Sequence, residues 1–273
     1  MIKKVYISAI MSAALPLMAA CSGRTNVPAG EEQVKINDYP KEVRQVVEAI
    51  SKGDSIRFSR LVCYPLSRPY PLHNIENQDG MRAYYSTMVD DSLTSVVRKS
   101  LPDDWQEYGW RGWSLDDGRY IWTDDSIYAV PYTSQRELHM LDSLVKADLA
   151  TLPPDLRKGG WCPVTCFVEA DGTQVFRIDR TSAKDGRPVY RMLAYDNFSN
   201  LKGQASHNME GYMEAEGSAM NITYTFRGDD GTTYTLEPEP SDDSDATILI
   251  SGPSHPDSQI SVRPAYWLDL VKK

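Results

Sequence analysis

Apolar residues recur at helical spacing over the first part of the chain. Val43, Val46, Val47 and Ile50 occupy the i, i+3, i+4 and i+7 positions that share one helix face. Asp54 is typical of an N-cap and indicates a second short helix directly afterwards. The pattern therefore predicts two helices before residue 63.

An extended segment and then a long helix are predicted next. Three prolines between Cys63 and Leu72 exclude a regular helix there, and the run Asn77-Gln78-Asp79-Gly80 offers a new helix start. The apolar face of the helix that follows consists of Met81, Tyr84, Tyr85, Met88, Val96 and Val97. We therefore predict a single amphipathic helix that ends before Pro102.

Two aromatic runs after Pro102 predict a small sheet. They cover residues 110–115 and 119–122 and are separated by Asp116-Asp117-Gly118, a sequence typical of a hairpin turn. A third apolar run at 126–132 follows almost at once and predicts a further strand.

A helix with a capping box ends the first part of the chain. Residues 134–137, Ser-Gln-Arg-Glu, have the spacing at which the Ser and Glu side chains cap the helix start. The apolar face of this helix consists of Leu138, Leu141, Leu144, Val145 and Leu149. Pro153-Pro154 ends the helix, and we place a domain junction there.

The pattern changes from helical to strand spacing after Trp161. Strand-like segments cover residues 164–169, 174–179, 189–195, 209–214, 220–226, 232–236, 247–250 and 259–262. Asp-Gly turns separate several of them. About eight short strands without a convincing helix predict an antiparallel barrel or sandwich. The predicted fold class is therefore α+β, with an all-β second domain.

The first 20 residues have the features of a bacterial signal peptide. Lys3 and Lys4 precede an apolar run from Val5 to Ala20, which is too short for a comfortable membrane span. The run ends in Leu17-Met18-Ala19-Ala20-Cys21, which resembles the lipobox of bacterial lipoproteins. The resemblance implies that Cys21 becomes acylated and anchors the chain in a lipid bilayer. The alternative is ordinary secretion, with cleavage after Ala20 and a free Cys21.

The residues after Cys21 predict a tether and an envelope location. Residues 21–37 are polar and contain Pro and Gly, as expected of a flexible linker. In bacterial lipoproteins an Asp directly after the lipidated cysteine often retains the protein at the inner membrane. Because Ser22 occupies that position here, the resemblance implies the outer membrane, facing the periplasm or the cell surface.

Several short motifs resemble a family of secreted bacterial lipoproteins with an NTF2-like domain. These motifs are Tyr64-Pro65-Leu66, Ile75-Glu76-Asn77, Tyr84-Tyr85, residues 109–113 and Tyr120-Ile121-Trp122. The resemblance implies a cone in which a curved antiparallel sheet wraps around the long helix. Weaker likeness continues at 176–179, 190–195, 216–218 and 224–226, and it implies architecture without a function. The domains are thus expected at 38–154, NTF2-like with a trailing helix, and at 155–273, an antiparallel β domain.

Charge and motif content exclude several classes of function. The 273 residues carry 29 Lys and Arg against 38 Asp and Glu, a net charge of −9. A nucleic-acid partner is not expected, because such proteins present a basic excess to the phosphates. No nucleotide-binding, nucleophile-elbow or HExxH motif is present, so we predict no cofactor, metal site or catalytic residue. The acidic runs 229–231 and 242–245 fit solvated turns better than calcium loops.

Five aromatic residues form the candidate ligand site. Tyr84, Tyr85, Trp110, Trp113 and Trp122 could line an apolar pocket for carbohydrate or a flat hydrophobic ligand, or they could fill the core. We predict a non-catalytic binding or scaffolding module with a protein or glycan partner in the envelope.

Two alternatives to this binding module are kept. One is an isomerase- or hydrolase-like pocket enzyme in the N-terminal cone, with Asp90 or Asp91 as the acid. The other is glycan capture on the β domain through Tyr266 and Trp267.

Cysteine and serine positions suggest covalent modification. Cys63, Cys162 and Cys166 remain after lipidation of Cys21, and an odd number leaves at least one thiol unpaired. They either form one disulfide or stay as buried thiols. Asp-Ser-aliphatic triplets resemble an O-glycosylation pattern of some Gram-negative envelopes, and their acceptor residues would be Ser55, Ser92, Ser126 and Ser143.

Overall fold

The structure, a computed structural model, describes residues 35–216, 221–238, 246–253 and 255–272. The signal peptide, Cys21, most of the tether and residues 217–218 and 242–245 lie outside the described residues. The chain divides into two compact units. The helical unit contains residues 35–69 and 74–138, and the barrel unit contains residues 70–73 and the chain from His139 onward. The boundary thus falls inside a helix, whereas the sequence analysis placed it after Pro154.

Four helices form one side of the helical unit. They are α1 (Lys41–Lys52), α2 (Ser55–Leu61), α3 (Gln78–Met88) and α4 (Asp91–Lys99). Asp54 caps α2 as predicted, since its side chain accepts a hydrogen bond from the Arg57 N–H. Gly53 ends α1 in the left-handed conformation, which glycine adopts without steric cost. Cys63 follows α2, and its N–H donates to the Ile127 carbonyl.

The prediction of one long third helix was wrong, because the helix breaks between α3 and α4. Val89 leaves the helical conformation, and Asp90 becomes the N-cap of α4. The Asp90 carboxylate accepts from the Leu93 N–H at 2.9 Å and from the Tyr132 hydroxyl at 2.8 Å. A short acidic side chain competes with the helix for backbone N–H groups, which favours a cap over continuation.

A small antiparallel sheet packs against these helices. Its strands are β1 (Trp105–Glu107), β2 (Trp113–Leu115), β3 (Trp122–Thr123) and β4 (Ile127–Ala129), hydrogen-bonded in that order. The predicted hairpin joins β2 to β3, and Asp116, Asp117 and Gly118 all have positive φ in its turn. The structure therefore confirms a mixed α+β unit.

A buried ion pair fixes the end of this sheet to the next helix, α5 (Gln135–Ala150). Arg68 Nε and Nη2 donate to the two Glu137 carboxylate oxygens, each at 2.8 Å, and both side chains are almost fully buried. The same guanidinium also donates to the carbonyls of Val130 and Tyr132, just after β4. Glu137 completes the predicted capping box by accepting from the Ser134 N–H. Its carboxylate thus serves the helix cap and the ion pair together.

The second part of the chain forms a closed eight-stranded antiparallel barrel. Its strands are β5 (Cys162–Glu169), β6 (Val175–Ser182), β7 (Pro188–Tyr195), β8 (His207–Glu216), β9 (Asn221–Arg227), β10 (Thr233–Pro238), β11 (Ala246–Gly252) and β12 (His255–Ala265). They pair in chain order, and β12 closes the barrel on β5. All eight predicted strands are confirmed, and inward side chains such as Phe176, Met192 and Phe226 fill the interior.

The outer face of β5 to β7 carries a buried charge network within the barrel unit. Arg177 contacts Asp148 of α5 at 2.5 Å and Asp179 at 2.8 Å, and Arg191 contacts Asp179 at 2.7 Å. The helices α6 (Pro154–Arg157) and α7 (Trp267–Leu270) belong to the same unit. Burial raises the pKa of Asp148 to about 6, against the opposite effect of Arg177. Opposite charges alternate along this network, so each buried charge has a partner.

In the part of the chain that the structure describes, no helix has both the length and the apolar character needed to cross a membrane.

Substitution of Arg68 tests the importance of the buried ion pair. We expect Arg68→Met to lower the free energy of unfolding by ~3–5 kcal/mol, because the Glu137 carboxylate would stay buried without its partner. Arg82→Met is the matched control, since Arg82 pairs with Asp79 at the surface, where such pairs contribute ~0–1 kcal/mol. Urea unfolding followed by circular dichroism measures both. Equal effects of the two variants would contradict the structural role of Arg68.

Candidate functional site

A group of aromatic side chains lies on the outer face of the small sheet. We define the aromatic patch as Tyr108, Trp110, Arg111, Trp122 and Tyr128. Trp110 is 64% exposed and Tyr108 is 38% exposed, while the other three are half-buried. Large aromatic side chains at such exposure are uncommon and mark candidate interaction surfaces.

Strand alternation explains why the Trp122 and Tyr128 rings face outward, whereas Trp110 lies in the short 3-10 helix Gly109–Arg111 between β1 and β2. Successive side chains of a strand point to opposite faces of a sheet. Trp105, Leu115 and Ile127 point into the core of the helical unit. Trp122 pairs with Ser114 in the register of β2 and β3, one residue away from the core-facing Leu115. The row that contains Trp122 therefore lies on the opposite face from the core.

The patch is held together by ring contacts. The ring centroids of Tyr108 and Trp122 lie 5.2 Å apart, and those of Trp122 and Tyr128 lie 6.3 Å apart. The Arg111 guanidinium lies 5.2 Å from the centroid of the Trp110 ring, a cation–π contact. Tilted ring pairs at these separations are energetically favourable. The rings of Tyr108, Trp122 and Tyr128 thus form a continuous ridge with Trp122 in its middle, and the Trp110 ring packs on Arg111.

Hydrogen bonds orient the polar ends of the rings. The Tyr108 hydroxyl lies 2.8 Å from an Asp117 carboxylate oxygen, to which it donates, and the Tyr128 hydroxyl donates to the Arg111 carbonyl at 2.8 Å. Trp122 Nε1 donates to the Gly118 carbonyl at 3.2 Å. The hydrogen bond to Asp117 raises the pKa of Tyr108, so this hydroxyl stays protonated at neutral pH. The patch therefore presents fixed apolar faces with a carboxylate at the edge.

Two glycines let the backbone approach the patch closely. Gly118 has φ +80°, and a Cβ there would lie 2.4 Å from the Trp122 ring. Gly112 has φ +73°, and a Cβ there would lie 2.5 Å from the Thr123 carbonyl oxygen. Only glycine fits both the conformation and the space. Asp116 and Asp117, in the same turn as Gly118, also have positive φ. Non-glycine residues with positive φ occur often at functional sites.

The structure does not bring the five predicted pocket residues together. Tyr85 is buried in the core, where its ring contacts Phe58 edge-on at 5.3 Å. Tyr84 and Trp113 pack against the same core while half-buried. Trp110 and Trp122 instead lie on the outward patch. The aromatic residues thus separate into core-filling and surface groups.

Two cavities of the helical unit are lined by other residues. One of about 300 Å³ is lined by residues that include Lys99, Asp103, Asp104 and Leu115. A smaller one of about 110 Å³ lies between α1 and residues 123–126. Neither is lined by Tyr84, Tyr85 or a tryptophan.

Asp90, the candidate acid of the enzyme alternative, is engaged in a helix cap. Burial raises the pKa of this carboxyl, but hydrogen bonds from Leu93, Tyr132 and Gln135 outweigh the burial and leave the pKa below its usual value. A general acid at neutral pH needs the opposite shift. Asp91, the second candidate, is exposed at the start of α4.

The barrel-unit residues considered for glycan capture are not an exposed pair. Trp267 is fully buried, and its Nε1 donates to the Thr151 hydroxyl at 2.7 Å. Tyr266 is half-buried and stacks between Tyr70 and His73. This hypothesis required aromatics exposed on one sheet face, which Trp267 does not satisfy.

Cys63, Cys162 and Cys166 are free thiols in the structure. Cys162 is exposed and Cys166 is buried on the same strand, β5, where the register shifts between Pro163 and Thr165. Burial raises the pKa of the Cys166 thiol well above its usual range, so this thiol is unreactive.

The four candidate O-glycosylation serines all lie in the described part of the chain. Ser92 and Ser143 are exposed, whereas Ser55 and Ser126 are half-buried. Their modification stays a prediction.

Sequence reasoning missed Tyr108, Arg111 and Tyr128 as members of the site. The available signal was alternation: Tyr128 follows the inward Ile127, and Trp122 follows the inward Ile121. Strand alternation along these aromatic runs would have placed Trp122 and Tyr128 on the outer face of the sheet.

No protein-family model, curated protein or solved structure matches this chain.

A substitution at Gly118 tests the packing of the patch. We expect Gly118→Ala to displace the Trp122 ring and lower the free energy of unfolding by ~2–4 kcal/mol, since it combines left-handed backbone with a steric clash. Gly172→Ala is the matched control, because Gly172 has φ +82° and nothing within 4 Å of the added methyl. Gly172→Ala therefore isolates the cost of placing a Cβ in left-handed backbone, ~1–2 kcal/mol. Urea unfolding with tryptophan fluorescence measures both variants, and equal losses would show that Trp122 does not pack on the turn.

Proposed function

We propose that this protein is a membrane-anchored envelope lipoprotein whose helical unit binds a partner, without catalysis, through the aromatic patch. The observation that carries the proposal is the solvent exposure of Trp110 and Tyr108, which lie in the connection between β1 and β2 of a sheet whose inner face is packed. Protein interfaces derive most of their binding energy from a few Trp, Tyr and Arg side chains. The patch consists of those three residue types alone.

The rigidity of the patch supports a binding role. Its rings contact one another, and its hydroxyl and indole groups are hydrogen-bonded to Asp117, Arg111 and Gly118. Side chains that are already held in place lose little conformational entropy when a partner binds. A rigid exposed ridge of this kind therefore suits recognition better than a set of mobile side chains would.

The enzyme alternative receives no comparable support. It requires a titratable group that points into a cavity beside the aromatic residues. Asp90 instead caps α4 and accepts from Tyr132, and Tyr85 packs on Phe58. We therefore favour the binding module.

The envelope location rests on the first 21 residues. A basic start, a short apolar run and the lipobox-like ending at Cys21 together support lipidation. After cleavage the loss of Lys3 and Lys4 leaves 27 basic against 38 acidic residues, a net charge of −11. An acidic body is repelled by anionic lipids, so the tether 22–37 would hold the helical unit away from the bilayer.

An NTF2-like arrangement of the helical unit is part of the same proposal. Two helices, an extended segment, a third helix and then a sheet is the order expected of that fold, and the chain follows it with the third helix divided into α3 and α4. The aromatic patch would then occupy the outer face of the cone rather than its interior.

Site-specific crosslinking in the native host tests the anchored binding module. We expect a photoreactive residue at position 110 to form a discrete adduct in the membrane fraction, because Trp110 lies at the exposed end of the patch. Mass spectrometry of the membrane fraction should find acyl mass on Cys21, and Cys21→Ser should abolish it. Trp122→Ala should reduce the adduct yield several-fold, since Trp122 supports the neighbouring rings.

Position 212 provides the matched control for this experiment. Tyr212 is 51% exposed on β8 of the barrel unit, so a photoreactive residue there samples solvent equally well. The same adduct at 110 and 212, or none at 110, would contradict binding through the patch. A mature chain that carries no acyl mass on Cys21 would contradict the lipid anchor.

A further inference from the structure

We infer that the aromatic patch binds a basic segment of a partner protein, through an arginine or lysine side chain placed on its rings. This inference rests on the proposed binding function and adds the chemistry of the partner. It is carried by the charge around the patch, by the acceptor at its edge and by two arginine sites inside the same chain.

The patch lies in an acidic part of the helical unit. Residues 105–128 contain five acidic and two basic side chains, which leaves a net charge of −3. The two basic side chains are engaged inside this region, since Arg111 lies over Trp110 and Arg119 pairs with Asp116 at 3.0 Å. Carboxylates and the faces of aromatic rings both attract cations. The local field therefore favours a positively charged side chain and disfavours phosphate or another anion.

A carboxylate lies directly at the edge of the ring ridge. Asp117 is exposed and lies 2.8 Å from the Tyr108 hydroxyl, whose ring contacts Trp122. A guanidinium on the ridge could thus combine stacking on a ring with a hydrogen bond to Asp117.

The barrel unit shows the same set of groups holding arginine. Arg191 lies 4.5 Å from the Trp161 ring centroid and 2.7 Å from the Asp179 carboxylate. Arg177 lies 5.0 Å from the Trp267 centroid and pairs with the same aspartate. An indole face together with a carboxylate is therefore a combination that this chain already uses twice for a guanidinium. The patch presents that combination at the surface.

A neutral saccharide fits the observations less well. It would stack on the ring faces but would gain nothing from the net negative charge. An aliphatic peptide helix would need a groove lined by Leu, Ile or Val, and the patch is aromatic. The net negative charge around the patch thus favours a basic segment over a saccharide or an aliphatic helix.

Titration of the purified full-length protein with defined probes tests this inference. The probes are the peptide Gly-Arg-Gly-Arg-Gly with blocked ends, its neutral citrulline counterpart and cellohexaose. Nuclear magnetic resonance of the indole N–H groups measures binding, with the buried Trp105 as the internal reference. We expect the arginine peptide to shift the signals of Trp110 and Trp122, and the citrulline peptide to shift neither.

Matched variants assign the binding to the patch. Trp110→Ala should weaken binding of the arginine peptide about fivefold, and Asp117→Asn should weaken it and reduce its salt dependence. Tyr212→Ala on the barrel unit should change neither quantity, although Tyr212 is similarly exposed.

The outcomes separate the partner chemistry from the binding function. Equal shifts with arginine and citrulline peptides would overturn the inference, because charge would then have no role. Shifts with cellohexaose alone would replace the basic segment by a saccharide and leave the binding function standing. If no probe shifts the indole signals while position 110 still forms an adduct in cells, the inference of a basic partner segment is wrong. The patch is then still the binding surface. Absence of both signals would remove the two proposals together.

Discussion

The buried ion pair between Arg68 and Glu137 is the interaction on which the helical unit depends. Two buried charges must pair with each other, and their other polar atoms must be hydrogen-bonded. Loss of one partner lowers the free energy of unfolding by ~3–5 kcal/mol. Arg68 does so by binding Glu137 at the start of α5 and the carbonyls of Val130 and Tyr132 after β4. The end of the sheet is thereby fixed in place. One face of β1 to β4 then packs against the helices, and the other face is left to solvent.

This constraint decides where the aromatic residues can act. The interior contains Tyr85, Phe58 and the inward side chains of the sheet, so these aromatic side chains pack in the core and do not line a pocket. Trp110 and Trp122 lie on the outward face, and the tight turn at Gly118 holds the Trp122 ring there. A surface ridge with Asp117 at its edge supports recognition of another molecule, whereas chemistry on a small substrate would need an enclosed cavity.

Local patterns in the sequence predicted much of this fold, but they did not predict contacts between residues that are far apart in the chain. The eight barrel strands, the Asp54 cap and the capping box at Ser134 depend on neighbouring residues, which a single sequence displays directly. The break at Asp90 was missed because its cap is reinforced by Tyr132, far along the chain. The ion pair between Arg68 and Glu137 was not predicted either, because its two residues are 69 positions apart in the chain. The candidate site was half predicted: its tryptophans were found, but the face on which they lie was not.

The solvent exposure of each of the six tryptophans shows whether the aromatic patch faces water. A soluble paramagnetic agent broadens the indole signals of residues that face water, and the broadening can be read for each tryptophan separately. We expect strong broadening for Trp110, intermediate broadening for Trp122, and protection of Trp105 and Trp267. Protection of Trp110 to the same degree as Trp105 would place it inside the protein and would contradict a binding surface built on the aromatic patch.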